Sequence, residues 1–404
     1  RTPPMSAAMI AVSVFTWFYH DSKHRDLDSW VDYGFSRDTL RHALLYYRFM
    51  GLSIIVFYTL FTVSCLMLQN DGIKIFADDN GPTFAGAFST GTHGTALTLG
   101  NLATLVMGMR LVTASGEVLD LDIDRDRERM TAARVSLGML GVITRVTLQC
   151  APAYHLRSVA FPLPFEEAVG QIDSLIRTHR HVRLYWFSHT DVIQVMCYDP
   201  TSDPITPRNV VEKWFQDVFL RQDLMTLFVE NSYSLPGLVT PINQFSAKVG
   251  WTREERVDRS DRILTIPMPP IHDECEYAVP LERAAEAVRA TRKLIETADF
   301  KVNMPVEIRF VAADDTMLSA TYERAGCYIG AYTFGEKFAQ PFFAGFEGYA
   351  KSIGGRGHWG KYLTLTADEA RAQYPLYDRF NEIRRHLDPR GLFMNDFTRR
   401  IFGR

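Results

Sequence analysis

A hairpin pattern in the second hundred residues limits the fold of this chain more than any other feature. Val106–Ala114 and Glu117–Leu121 are strand-like segments on either side of a Ser-Gly turn, and so predict two paired strands. Apolar residues then recur with helical spacing over Arg127–Leu140, and Gly141–Leu148 alternates as a strand does. Paired strands beside a separate helix favour an α+β fold.

Beyond Pro152 the helices and strands stay separate in the same way. Helical patterns occupy three segments, namely Phe165–Arg177, Leu281–Thr297 and Pro375–Leu387. Strand patterns occupy three more, namely Val182–Val195, Val306–Val311 and Cys327–Thr333. Residues 199–262 are rich in Pro, Asn, Gln and aromatic residues and predict long connections with short helices.

Length and composition exclude several classes of protein. A chain of 404 residues exceeds a single hydrophobic core, so two domains are expected. The net charge of −3 gives no basis for nucleic acid as a partner. Five scattered cysteines form neither a CxxC pair nor a metal-ligand spacing, so we expect reduced thiols and no metal site. They are Cys65, Cys150, Cys197, Cys275 and Cys327.

An uncharged stretch near the amino terminus predicts a possible membrane contact. No charged residue occurs between Arg48 and Asp71, and the apolar part at about 49–69 is long enough to cross a hydrocarbon core of roughly 30 Å. Arginines precede the stretch, which would leave the amino terminus in the cytoplasm. A buried core helix or strand pair is the alternative, because serines and threonines dilute the stretch. We expect a cytoplasmic or membrane-associated protein that is not secreted.

A run of small residues resembles a loop that wraps a phosphate or a ring. Glycines reach backbone angles closed to other residues, and several N–H groups can then point at one ligand. The candidate residues are Gly86, Ser89, Thr90, Gly91, Thr92, His93, Gly94 and Thr95. A turn around a histidine with satisfied hydrogen bonds is the alternative. A second glycine pair, Gly138 and Gly141, stands before Ile143 and by itself indicates close packing.

Two further segments carry charged residues beside apolar ones. Glu307 and Arg309 are two residues apart, so a strand would project both from one face. Lys361 ends the sequence His358-Trp-Gly-Lys. The alternatives are an exposed ion pair on a half-buried strand, and a surface lysine lying over the tryptophan.

Together these segments resemble the sugar-lactone and alditol oxidases of the vanillyl-alcohol-oxidase flavoprotein superfamily, of the D-arabinono-1,4-lactone oxidase and L-gulonolactone oxidase type. The resemblance runs from about Leu68 to the carboxyl terminus. It implies an α+β chain with a PCMH-type FAD-binding domain and a cap with a large antiparallel sheet. The implied parts are 1–66 (unassigned), 67–152 (second half of the FAD-binding domain), 153–345 (cap and substrate domain) and 346–404 (active-site segment).

The resemblance also implies a role for each candidate residue. The small-residue run would line the FAD pyrophosphate and isoalloxazine, and Gly138, Gly141 and Ile143 would lie along the adenine half. Lys361 would stabilise the reduced flavin. Glu307 and Arg309 would hold the hydroxyls of a lactone or polyol, and His358 would accept a proton or orient Lys361.

The first 66 residues lack the glycine-rich loop, often with a flavin-linked histidine, that opens this family. We therefore expect FAD to be held without a covalent bond. The chain starts with Arg, which is compatible with a fragment, a processed form or an incomplete gene model. Two classes of function follow. One is a lactone or alditol oxidoreductase that passes electrons to oxygen or another carrier. The other is a non-catalytic relative, or truncated gene product, that cannot hold FAD.

Overall fold

The computed structural model describes residues 83–208, 224–265 and 272–403. The unassigned segment 1–66, with its uncharged stretch, lies outside these residues. All the described residues belong to one compact unit of the chain. Within these three ranges no helix is both long and apolar enough to cross a membrane.

The described residues contain eleven strands, which form one sheet of three strands and one of eight. They are β1 (Val106–Val112), β2 (Val118–Asp122), β3 (Val142–Leu148), β4 (His155–Pro164), β5 (His181–Trp186), β6 (Val192–Thr201), β7 (Glu254–Arg259), β8 (Asp273–Pro280), β9 (Val306–Val311), β10 (Gly326–Thr333) and β11 (Arg356–Gly357).

Twelve α-helices occur in the same part of the chain. They are α1 (Phe84–Ser89), α2 (Arg127–Arg134), α3 (Phe165–Gly170), α4 (Ile172–Thr178), α5 (Met225–Ser234), α6 (Val239–Gly250), α7 (Ser260–Leu264), α8 (Ala284–Thr297), α9 (Glu336–Ser352), α10 (Ala367–Gln373), α11 (Tyr377–Leu387) and α12 (Asp396–Phe402). The mixture of helices with antiparallel sheets confirms the α+β prediction.

The small sheet contains the predicted hairpin. Its order is β2-β1-β3, and both pairs are antiparallel. Gly116 adopts a φ of 85° in the turn, a conformation that glycine reaches without strain. The helix predicted over 127–140 is wrong in its second half, because α2 ends at Arg134 and both Leu137 and Gly138 have positive φ. Residues in the left-handed backbone conformation cannot continue a right-handed helix.

The large sheet has the order β11-β8-β10-β9-β5-β6-β4-β7, and every neighbouring pair is antiparallel. This confirms the large antiparallel sheet. The single strand pattern predicted over 182–195 is instead the hairpin of β5 and β6, with His189 at a φ of 61° in its turn. Helix α9 was not predicted, and it contains Pro341, a residue that normally interrupts helices.

Alternation along the central strands gives the large sheet two unlike faces. One face is apolar and packs against α8 and α9, and it includes Leu184, Ile308 and Ile329. The opposite face is polar at the same strands. Its side chains, matched by the strand register, are Arg183, Tyr185, Glu274, Glu276, Glu307, Arg309, Tyr328 and Tyr332. Burying so many charges needs mutual pairing, and this face holds the candidate site.

Candidate active site

Glu307 and Arg309 project from β9 onto the polar face, as their spacing predicts. Only 1% of Glu307 and 6% of Arg309 is exposed, so they do not form a surface ion pair. Arg309 Nη2 donates to Oε1 of Glu276 at 2.8 Å, and it lies 3.7 Å from Oε2 of Glu307. Arg309 therefore links carboxylates from two strands.

Glu307 is fixed by cations and a hydroxyl. Arg183 Nε lies 3.1 Å from its Oε1, and the Tyr332 hydroxyl donates to its Oε2 at 2.7 Å. Burial by itself would raise the pKa of Glu307. The positive charges of Arg309 and Arg183 outweigh that effect, so the pKa lies below its ordinary value. Glu307 is thus an ionised acceptor of hydrogen bonds.

Gly330 of β10 makes room for this arrangement. It lies opposite Glu276 on one side and Glu307 on the other. A Cβ atom at this position would stand 2.8 Å from Cε2 of Tyr332. The tyrosine ring therefore leans over the glycine to reach Glu307.

The segment that carries Lys361 is attached to β8. After β11, the His358 N–H donates to the Glu276 carbonyl at 2.9 Å, and the Tyr362 N–H donates to the Glu274 carbonyl at 2.8 Å. The turn between them presents Lys361, whose ammonium forms an ion pair with the Glu274 carboxylate. Burial disfavours that ammonium, but the charges of Glu274 and Glu276 outweigh it and raise the pKa of Lys361.

The two other side chains of this segment hold its shape. Trp359 is buried, lies against the Tyr374 ring with centroids 4.7 Å apart and donates from Nε1 to the Leu318 carbonyl at 2.6 Å, so it anchors the turn in the core. His358 accepts the Gly360 N–H on Nδ1 at 3.0 Å. Burial lowers the pKa of His358 to about 3. A neutral ring with Nδ1 occupied suits an orienting role better than proton acceptance.

The small-residue run is part helix and part loop. Its first half forms α1, in which Gly86 is exposed and Ser89 is buried, so the loop prediction is wrong for these residues. The chain then turns at Gly91, with a φ of 77°. Thr90 and Thr92 are half-buried beside it, and a Cβ at Gly360 would lie 3.2 Å from the Thr90 hydroxyl. The run therefore contacts the His-Trp-Gly-Lys turn.

The end of the run crosses the large sheet. The Thr95 hydroxyl donates to the Val182 carbonyl and accepts the Phe310 N–H at 3.1 Å, which brings the run against β5 and β9. The His93 ring stacks on Tyr328 with centroids 3.6 Å apart. Its Nδ1 donates to the carbonyl of Gly94 at 2.9 Å. All three segments of the sequence resemblance thus meet.

The second glycine pair lies behind this run. The Leu137 N–H donates to the Ser89 carbonyl at 3.1 Å, and Gly138 follows with a φ of 75°. A Cβ at Gly141 would stand 2.7 Å from the Val112 carbonyl oxygen, so close packing already requires that glycine. Ile143 lies in β3 opposite Leu111.

Two buried carboxylate oxygens facing this cluster have no hydrogen-bond partner, namely Glu274 Oε1 and Glu276 Oε2. His93 Nε2 lies 3.3 Å from the other oxygen of Glu276, Oε1. An unpaired buried polar group costs about 1–3 kcal/mol, so such atoms favour a ligand with polar groups. They fit both a hydroxyl-bearing substrate and the heteroatom edge of a flavin. His93, Glu276 and His358 could also present ligand atoms within 4.8 Å of one another. The Arg309 guanidinium already occupies Glu276, which disfavours a dication there.

Sequence reasoning missed four residues of the site, which are Arg183, Glu274, Glu276 and Tyr332. A signal was present, because each stands at an alternate polar position in an otherwise apolar strand. The same signal identified Glu307 and Arg309. Their partners are distant in the chain, so spacing alone could not assign them to the same site.

Residues 146–401 match the family described as ALO: D-arabinono-1,4-lactone oxidase. The chain is also 33% identical over 327 residues to L-gulonolactone oxidase of Bos taurus, covering 79% of this chain and 73% of that protein. The chain belongs to the D-arabinono-1,4-lactone oxidase family. It is 31% identical over 338 residues to L-gulono-1,4-lactone dehydrogenase of Mycobacterium tuberculosis, covering 84% and 77% of the two chains. The family resemblance seen in the sequence is confirmed.

Solved structures share the fold of this family member. A solvent-stable cholesterol oxidase aligns with a TM-score of 0.66 at 19% identity, over 80% of this chain and 76% of that one. A cholesterol oxidase variant from Brevibacterium sterolicum aligns with a TM-score of 0.64 at 16% identity, over 78% and 74%. At these identities the likeness concerns the fold.

Proposed function

We propose that this protein is an FAD-dependent oxidoreductase that oxidises a CH–OH group of an aldonolactone, of the D-arabinono-1,4-lactone or L-gulono-1,4-lactone type. Family membership supports the reaction class, and the names of the relatives support the substrate class. The observation that carries the proposal is that Glu307 and Arg309 lie on one buried polar face, to which the half-buried Lys361 is joined through its ion pair with Glu274.

The chain's own residues would bind and orient the substrate. Glu307, ionised and fixed by Arg183 and Tyr332, would accept a hydrogen bond from a lactone hydroxyl. Arg309 would donate to a ring or carbonyl oxygen while it keeps its bond to Glu276. The free oxygen of Glu276, Oε2, would accept a hydrogen bond from a further polar group. Fixed partners of this kind position a reacting carbon at little further entropic cost.

FAD, when bound, would accept the hydride from the carbinol carbon. The run from Gly91 to Thr95 and the Lys361 ammonium are the groups proposed to hold its ring. A fixed positive charge lowers the barrier where negative charge develops, which is the role proposed for Lys361. Gly86, Gly138, Gly141 and Ile143 are proposed for the rest of the cofactor on the family resemblance alone.

Anaerobic reduction tests this function directly. The purified protein, supplied with FAD, should show flavin bands at roughly 370 and roughly 450 nm, since the colour belongs to the cofactor. Addition of L-gulono-1,4-lactone should bleach the longer-wavelength band, whereas an alditol such as xylitol should bleach it far more slowly. A protein that binds FAD but is bleached by neither compound would contradict the proposal. Where the lactone does bleach the flavin, reoxidation of the reduced flavin by oxygen or by an added dye would identify the electron acceptor.

We further propose that these 404 residues hold FAD without a covalent bond. The histidines of residues 1–66 stand outside any glycine-rich loop. The Nδ1 of His93 is hydrogen-bonded to the Gly94 carbonyl, and its ring is stacked on Tyr328. Acid precipitation should therefore release the flavin into the supernatant. A yellow pellet after precipitation would disprove this. Membrane association is proposed on the uncharged stretch at 49–69, and co-flotation of the full chain with lipid vesicles tests it.

A further inference from the structure

Glu274 lies next to the proposed reaction centre but belongs to none of the motifs in the sequence resemblance. It is 7% exposed, and its carboxylate binds the Lys361 ammonium through Oε2. Its other oxygen is buried without a hydrogen-bond partner. A buried carboxylate with one fixed cation and one unused oxygen requires an explanation beyond packing.

The backbone places Glu274 and Lys361 on a common support. The carbonyl of Glu274 accepts the N–H of Tyr362 at 2.8 Å, and the Lys361 N–H donates to the His358 carbonyl at 3.2 Å. These bonds fix the Cα of Lys361 over β8. They leave free the four-carbon stem, which has many rotamers. The ion pair with Glu274 restricts the ammonium at its end.

The other charged and polar groups close to Glu274 already have partners. Glu276, two residues along the same strand, is bonded by Arg309 of β9. Tyr332 of β10, opposite Glu274, donates its hydroxyl to Glu307. Each of these groups therefore already has a partner, and Glu274 is the carboxylate that binds the Lys361 ammonium.

We propose that Glu274 is a positioning residue that fixes the Lys361 ammonium at the place where the reaction needs positive charge. This inference rests on the proposed function, in which Lys361 faces the flavin. Burial raises the pKa of Glu274 to about 7, although the charge of Lys361 opposes that rise. Protonation of Glu274 below that pH would weaken the ion pair and with it the positioning.

Glu274→Gln tests the inference, with Asp273→Asn as the matched control because Asp273 is the exposed carboxylate next to it on β8. Misplacing a catalytic group by about 1 Å can cost about 10²-fold, so Glu274→Gln should slow flavin reduction by about 10- to 100-fold. The loss of rate that we expect of the wild type below about pH 7 should be absent in Glu274→Gln. Asp273→Asn should keep both the rate and the pH profile.

A double-mutant cycle separates positioning from general damage. If Glu274 acts through Lys361, then adding Glu274→Gln to Lys361→Met should lower the rate by less than about 2-fold, because coupled residues are non-additive. Losses that multiply would overturn the inference. Glu274→Asp, which keeps the charge on a shorter stem, should fold and give an intermediate rate.

A measurement of lysine acetylation, which does not depend on enzyme activity, completes the test. Acetic anhydride modifies uncharged, accessible lysines, so peptide mass spectrometry of briefly treated protein reports on Lys361 itself. Acetylation of Lys361 should be several-fold faster in Glu274→Gln than in the wild type and unchanged in Asp273→Asn. Equal acetylation in all three proteins would overturn the inference, even if the wild type oxidises lactones. A wild type that oxidises no lactone, with faster acetylation in Glu274→Gln, would instead defeat the proposed function and keep the positioning.

Discussion

At the scale of single residues, we expect Lys361 to affect the rate of the reaction much more than the stability of the fold. Lys361→Ala should slow flavin reduction by about 10²–10³-fold, the usual loss for one group that stabilises developing charge. The loss of stability should be small at pH 6.5, because Glu274, with a pKa of about 7, can take up a proton once its partner is gone. Stopped-flow reduction and thermal unfolding of the same protein samples measure both effects.

Lys351→Ala is the matched control for this prediction, since Lys351 pairs with Glu369 and Glu347 away from the site. A reduction rate equally slow in both variants would contradict the role of Lys361. The family resemblance predicted Lys361, Glu307 and Arg309 as site residues, because each stands in a short motif. Arg183 and Glu274 could not be predicted in the same way, because an ion pair between residues far apart in the chain leaves no local pattern.

At the scale of secondary-structure elements, the absence of a side chain at Gly330 of β10 decides the shape of the polar face. Gly330→Ala would place a Cβ 2.8 Å from the Tyr332 ring, so the ring must move away from Glu307. We expect a loss of about 1–3 kcal/mol in unfolding free energy, typical of overpacking, and a roughly 10-fold rise in KM for the lactone. Tyr332→Phe should reproduce the rise in KM without the overpacking cost.

Gly348→Ala controls for the added methyl, because Gly348 lies exposed in α9 with open space around it. Alanine there should leave KM unchanged and raise helix stability slightly. A rise in KM confined to Tyr332→Phe would show that Tyr332 tolerates the new methyl. Elements with strong periodicity, such as β9 and α8, were predicted from the sequence. The α9 helix was missed because a proline stands inside it, and α2 was made too long because backbone angles at Leu137 and Gly138 leave no periodic signal.

At the scale of the whole molecule, the sequence predicted a large antiparallel sheet but not its strand order. β5 pairs with β9 and β8 with β11, and segments this far apart carry no local sign of their register. That long-range order is what collects three buried carboxylates, Glu274, Glu276 and Glu307, on one face. Buried charge on this scale links the stability of the fold to pH.

His358 and Glu274 should act on that stability with opposite signs. Burial lowers the pKa of His358 to about 3, so the unfolded chain, with a histidine pKa near 6.5, binds more protons between these values. The stability due to neutral His358 is therefore complete above about pH 6.5 and is lost as the pH falls towards 3. The raised pKa of Glu274, about 7, acts the other way, because its stabilisation is complete below about 4.5 and is lost as the pH rises through 7.

Because the two effects oppose each other in the wild type, each is measured in a variant that lacks the other. His358→Asn removes one titration, so between pH 7 and pH 5 its unfolding free energy should improve by about 2 kcal/mol relative to the wild type, from 1.5 pH units at about 1.4 kcal/mol each. Glu274→Gln should shift in the opposite direction over the same range. Urea unfolding of the three proteins at both pH values measures these differences. Parallel curves for His358→Asn and the wild type would mean that folded His358 keeps an ordinary histidine pKa, so that at pH 5 it is charged and its Nδ1 cannot accept the Gly360 N–H.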